Sequence, residues 1–151
     1  MNERHITEEI AIAGQPTAGE LESMHDLGFR TVINLRTDGE EGTVADEKKL
    51  VEEAGLYYSH IPVSPDTLDD VAVQRFTQAI DSDGSQPVLV HCKGGGRAGV
   101  MTLLYLAIEH GWSIAQALEE SKNLGDIGPS ETSPYRPFFE SYLRRHSPAE
   151  R

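Results

Sequence analysis

The chain is predicted to be α/β, with a central, mostly parallel sheet of four to five strands flanked by helices, and two observations predict it. Short apolar runs at Ile10–Ala13, Thr31–Leu35, Leu56–Ile61 and Val88–His91 alternate with helical patterns, the order that connects parallel strands. The first two helical patterns each stop on a glycine, Gly28 and Gly55, that leads straight into a strand. With 151 residues and no repeat, linker or low-complexity tract, one domain over 1–151 is expected.

Each element has its own signal. Thr17 reads as the N-cap of a helix through Leu27, and a second helix runs from about Val44 to Ala54. After the third strand comes a loop with two prolines, His60-Ile61-Pro62-Val63-Ser64-Pro65-Asp66, closed by Thr67 and Asp70 as a capping box. Leu68, Val71, Ala72, Phe76, Ala79 and Ile80 then share a helical face that ends at the turn Asp81–Ser85. The fourth strand, Val88–His91, is followed by a helix from Ala98 to His110 that is apolar nearly all round, as a buried central helix must be. Ser113 with Gln116 caps a helix to about Asn123, and Pro134–His146 forms a last one with basic Arg144 and Arg145 at its end.

The chemistry concentrates at His91-Cys92-Lys93-Gly94-Gly95-Gly96-Arg97-Ala98-Gly99, where the only cysteine ends a strand and opens a glycine-rich turn into a helix. Backbone N–H groups at such a turn converge on an anion. Glycines allow positive φ and close approach to a ligand, and Arg97 can grip two oxygens of that anion. A helix N-terminus and a guanidinium together favour the thiolate form of a cysteine. These are the parts for attack on phosphorus through a covalent intermediate, which then requires a general acid that later acts as base. Asp66 is preferred for it over Asp69: it lies on the loop before the cap, whereas Asp69 and Asp70 fall where acids ordinarily face a helix dipole. His91 is expected to hold the loop through hydrogen bonds. Asn34 and Arg36 end a strand on the same sheet edge, either lining the pocket or fastening the strand end, and Asp126 and Ser130 could flank it.

Several other readings fail on the residues. Gly94, Gly96 and Gly99 satisfy a dinucleotide fingerprint, but the motif closes the series of strands, and Glu119 and Glu120, about twenty residues on, lie on an amphipathic helix. Asp81-Ser82-Asp83-Gly84 lacks the later ligands of a calcium loop. The six histidines and Cys92 show no zinc spacing, so no metal or other cofactor is expected.

Together these residues resemble the cysteine-dependent tyrosine and dual-specificity phosphatase superfamily. The closer likeness is to its bacterial branch of beta-lactamase-hydrolase-like phosphatases, through Gly14-Gln15-Pro16, Thr31–Arg36 followed by acidic Asp38, Glu40 and Glu41, His60-Ile61-Pro62-Val63 and the Cys92 loop. The likeness runs from about Gly14 to Gly125. It implies a tyrosine-phosphatase-like fold, Cys92 as nucleophile, Arg97 as phosphate ligand, the backbone of Lys93, Gly94, Gly95, Gly96, Ala98 and Gly99 as phosphate cradle, and Asp66 as general acid. Two departures stand out. Four residues separate Cys92 from Arg97 where the superfamily has five, a spacing close to rhodanese-like sulfurtransferases that carry a persulfide, and Ala98 replaces the Ser or Thr that helps the thiolate leave. A non-catalytic phospho-binding module is the third reading that Ala98 leaves open.

Composition bounds the partners. Twenty-five acidic against thirteen basic residues give a net charge of −12, which repels nucleic acid and anionic membranes. A phosphorylated protein or small molecule must therefore be drawn by a local positive site at Lys93, Arg97 and a helix N-terminus. A lone cysteine suits a reducing compartment, and the charged start Met1-Asn2-Glu3-Arg4-His5 lacks an apolar leader, so the cytoplasm is expected. No sequence signal sets the oligomeric state.

Overall fold

The computed structural model describes residues 1–150 and is an α/β sandwich around a five-stranded sheet. The strands are β1 (Arg4–His5), β2 (Ile10–Ala13), β3 (Thr31–Asn34), β4 (Tyr57–His60) and β5 (Val88–His91), in the order β1-β2-β5-β3-β4. All neighbours pair parallel except β1, which runs antiparallel to β2. The helices are α1 (Ala18–Glu22), α2 (Glu47–Glu53), α3 (Asp70–Asp81), α4 (Gly96–His110), α5 (Ile114–Asn123) and α6 (Arg136–His146).

Strand periodicity divides the core in two. Ile10, Ile12, Ile33, Val88 and Val90 face a cluster with Phe76, Leu103, Leu104, Phe139 and Leu143 of α3, α4 and α6. The alternate residues Ala11, Ala13, Val32 and Leu89 pack on Leu21, Met24 and Val51 on the α1 and α2 side. Every residue of α4 from Ala98 to Ala107 is buried, as its apolar circumference predicts. Burial on both sheet faces is what continuous apolar strands such as Val88-Leu89-Val90 require.

The structure corrects several boundaries. The third helix begins at Asp70 with Asp69 as its N-cap, whose carboxylate accepts from Ala72 N at 2.9 Å. Thr67 is not the cap because its hydroxyl is spent in a turn with Ser64, whose N–H donates to Thr67 Oγ1 at 3.1 Å. The first helix is one short turn capped by Thr17 and Glu20, and residues 23–28 continue as turns. The helix expected from Val44 starts at Glu47, and that expected from Ala98 starts two residues earlier, at Gly96, so Arg97 lies in its first turn. The last helix starts at Arg136, two residues after the expected Pro134. The edge strand β1 was not anticipated.

Register brings the carboxyl ends of four strands level, with Ala13 and Asn34 both opposite His91 and Asn34 opposite His60. The Cys92 loop leaves the sheet at this edge, the place where open α/β sheets bind ligands.

Candidate active site

Cys92 is buried at 1% exposure, and its backbone N–H reaches Ala13 O at 3.3 Å. The loop curls over the sulfur, so that Gly95 N donates to Cys92 Sγ at 3.0 Å. That closure needs the backbone at Gly95 in the left-handed region, φ 100°, which a residue with a Cβ adopts only with strain. Two other glycines allow close approach. A Cβ on Gly14 would stand 2.9 Å from Lys93 O, and one on Gly99 would stand 2.4 Å from Ile127 O. Gly94 and Gly96 have neither positive φ nor a neighbour within 4 Å of a built Cβ, so the space beside them is free for a ligand.

Arg97 is held from one side only. Its Nη1 and Nη2 donate to Glu40 Oε2 and Oε1 at 2.8 and 2.9 Å, and Nη1 also reaches Val63 O at 3.1 Å. Of the five N–H groups of a guanidinium, this leaves Nε–H and the second Nη2–H, which lie on one edge and point in parallel. Arg97 therefore still presents a two-pronged edge, the geometry that binds two oxygens of one phosphoryl group. The hydrogen bonds from Arg97, aided by those from Thr37 and opposed by burial, hold the Glu40 carboxyl well below the ordinary carboxylate range, and Glu40 in turn raises Arg97.

Behind Glu40 runs a chain of buried polar groups. Arg36, at 1% exposure, donates from Nε to Glu40 at 3.2 Å and from Nη1 to Gln15 Oε1 at 2.9 Å and Gly42 O at 3.1 Å; Nη2 reaches Glu41 O. Gln15 Nε2 donates to Glu47 at 3.0 Å, and the other Glu47 oxygen meets His91 Nε2 at 2.6 Å. Burial pushes the Glu47 carboxyl up, but His91 and Gln15 outweigh it and leave it below its ordinary value. Gln15 N also ties to Lys93 O at 3.1 Å. The chain therefore fastens the start of the loop, at His91 and Lys93, and its end, at Arg97, to the sheet edge. Asn34 and Arg36 take the fastening role: Asn34 Oδ1 accepts from Arg36 N at 2.9 Å, and neither lines the Cys92 cavity.

That cavity measures about 640 Å³ and opens on the opposite side, walled by Val100, Ile127, Pro129, Ser130 and Tyr135 over Cys92, Gly94, Gly95, Gly96 and Arg97. Asp126 and Ser130 do flank it. Of the other expected residues, His91 lies beneath the loop, Lys93 is exposed with its side chain outside the cavity, and Ala98 and Gly99 are buried in α4 without lining it. Asp66 is exposed on the turn after Val63 and does not line the cavity either. Glu47, Tyr135 and Arg4 of the site had no signal of their own in the sequence, and Gln15 and Glu40 appeared there only as parts of the resemblance.

A parallel sheet whose central strand ends in a cysteine loop closed by an arginine on the following helix is the tyrosine-phosphatase-like arrangement. The chain belongs to the family of the beta-lactamase hydrolase-like protein, phosphatase-like domain, whose family model matches residues 2–119. It is 37% identical over 107 residues to a beta-lactamase hydrolase-like protein of Agrobacterium fabrum, a match that covers 69% of this chain and 25% of the relative, so the chain spans about a quarter of that protein's length. Its fold matches a DUF442 protein of Shewanella putrefaciens with TM-score 0.79 and 23% identity, over 96% of this chain and 93% of the other. Tk-PTP in its active form matches with TM-score 0.74 and 25% identity, over 96% and 95%. No helix among the described residues is long and apolar enough to cross a membrane.

Proposed function

We propose that this chain hydrolyses phosphomonoesters of a protein or small molecule through a phosphocysteine at Cys92. The observation that carries the reading is the free Nε/Nη2 edge of Arg97 in the same cavity as a sulfur that already accepts the Gly95 N–H at 3.0 Å. Family membership and the likeness to Tk-PTP support it.

In the first step the Cys92 thiolate forms an S–P bond as the ester P–O bond breaks. The leaving oxygen takes a proton from the Asp66 carboxyl, and Arg97 with the loop amides bears the charge on the equatorial oxygens. In the second, water attacks phosphorus, the S–P bond breaks, Asp66 takes the water's proton, and inorganic phosphate departs from the restored thiolate. Asp66 is three residues past Val63, whose carbonyl Arg97 holds, so this role requires the Ser64–Thr67 turn to fold inward over an occupied cavity. Ala98 offers no hydroxyl to the departing thiolate, which makes the second step the slow one.

The four-residue spacing between Cys92 and Arg97 favours one competing reading, transfer of sulfane sulfur through a Cys92 persulfide. Assays with p-nitrophenyl phosphate, and with thiosulfate plus cyanide, separate the two. The expected result is phosphatase turnover with a burst of p-nitrophenol, the product of the first step, that Cys92→Ser abolishes; thiocyanate formation without phosphate release would overturn the proposal.

A further inference from the structure

We propose that the mouth of the Cys92 cavity holds a second anion subsite built on Arg4, so that the substrates are phosphomonoesters whose body carries another anionic group. The inference rests on the phosphatase reading of the same site. A cavity of about 640 Å³ is several times what a phosphoryl group fills, and it falls within the range that takes a whole small ligand. Val100, Ile127, Pro129 and Tyr135 supply its apolar wall, and Arg4 is its cationic lining residue besides Arg97.

Arg4 is seated there by structure. It lies on β1, paired opposite Ile12 of β2, which is itself paired with β5, the strand that leads into the Cys92 loop, and Nη1 donates to Gly125 O at 2.7 Å. A Cβ on Gly125 would come within 2.9 Å of that nitrogen, so residue 125 leaves the space the guanidinium uses. One bond spends one donor; Nε–H and the Nη2 donors remain. The two arginines differ in charge balance. Glu40 matches Arg97 end-on, whereas no carboxylate of the described residues lies within 4.0 Å of the Arg4 nitrogens. In a chain of net charge −12, a fixed and unmatched guanidinium at the opening of an oxyanion pocket favours a second anionic group. Asp126 is the sole carboxylate among the lining residues.

A small molecule with two anionic groups and a phosphopeptide with an acidic neighbour share this chemistry. The test compares kcat/KM for phenyl phosphate with 4-carboxyphenyl phosphate, and for a phosphotyrosine peptide with Asp or Ala beside the phosphotyrosine, in the wild type, Arg4→Gln and Arg4→Lys. Because a carboxyl group also alters the leaving group, the readout is the change in each ratio on substitution. The expected result is a ratio that falls about tenfold in Arg4→Gln, returns in Arg4→Lys, and shrinks in the wild type as salt rises. A fall in the aryl pair alone assigns the second anion to small molecules, and one in the peptide pair alone assigns it to acidic peptides. Ratios that Arg4→Gln leaves unchanged overturn the subsite. Should the wild type fail to hydrolyse phenyl phosphate, the phosphatase reading falls, and calorimetric titration with phenylphosphonate against 4-carboxyphenylphosphonate decides the subsite by itself, equal affinities overturning it.

Discussion

The two sides of the Cys92 loop are built in opposite ways. On one, Glu40, Arg36, Gln15, Glu47 and His91 form a chain of hydrogen bonds from 2.6 to 3.2 Å, with Arg36 and His91 almost wholly out of solvent. On the other, residues 126–135 stand around an open cavity, and Arg97 turns its unspent donors away from Glu40. Buried charges survive only where every partner is in place. Labour is divided between the two sides: stability and loop geometry are concentrated on the closed side, while the open side leaves space over the sulfur.

The largest expected effect breaks the closed side. Arg36→Met takes one of two cations from Glu40 and the donor from Gln15 Oε1 and the carbonyls of Glu41 and Gly42, and the expected loss is about 3–5 kcal/mol, or about 10 °C in Tm at 2–4 °C per kcal/mol for a chain of this size. Calorimetry measures it; a loss below about 1 kcal/mol would mean that the polar chain is not what holds the loop. Next, Asp66→Asn should lower kcat/KM by about 10² and flatten the basic limb of its pH profile, because the first step needs the acid protonated. Asp126→Asn is the control, since Asp126 lines the cavity and Asp66 does not. A flattened limb in Asp126→Asn alone would transfer the acid role to the open wall.

How far the site was legible in the sequence follows the same division. Cys92, Gly95 and Arg97 lie within six positions, so strand, turn and helix start could be read together. The central strands and α4 were legible for a related reason, because burial on every side leaves continuous apolar runs. Glu40, Gln15 and Glu47 come from three separate segments, and a carboxylate reads as surface charge until the fold sets a cation beside it. Asp69 and Thr67 show the limit of local signals. Both are good caps, and the choice fell to Asp69 only because Ser64 engages the Thr67 hydroxyl. The edge strand β1 carries just Arg4 and His5, both exposed, with no apolar period to betray it; that is also why Arg4 had no visible claim on the cavity.

A smaller effect sharpens the link between the two sides. Glu40→Gln keeps the shape of the Arg97 partner but removes its charge, and kcat/KM should fall about tenfold as Arg97 loses its fixed orientation. The same pair predicts a pH dependence of stability. Because Arg97 holds the Glu40 carboxyl below its ordinary value, its contribution is complete above about pH 4.3, the value of an unfolded glutamate, and is lost as pH falls below that. Glu40→Gln should therefore remove part of the acid-side loss seen in the wild type. Identical acid limbs in the two proteins would show that the pair only orients Arg97 and carries no stability.

The smallest effect tests the open side. Tyr135 lines the cavity, and burial raises its phenol above the ordinary range. It precedes α6 by one residue, and its backbone N–H bonds to Ser133 Oγ at 3.1 Å. No hydrogen bond of the phenol oxygen to the described residues accompanies that backbone contact, so removing the hydroxyl strands no partner. Tyr135→Phe should change stability by less than about 0.5 kcal/mol while altering KM among phosphomonoesters that differ in the body next to the phosphate. Urea unfolding and a KM series on three aryl phosphates measure both. A stability loss above about 1 kcal/mol with an unchanged KM series would place Tyr135 with the closed side, as a structural wall, and would leave Arg4 as the main determinant of what the open side admits.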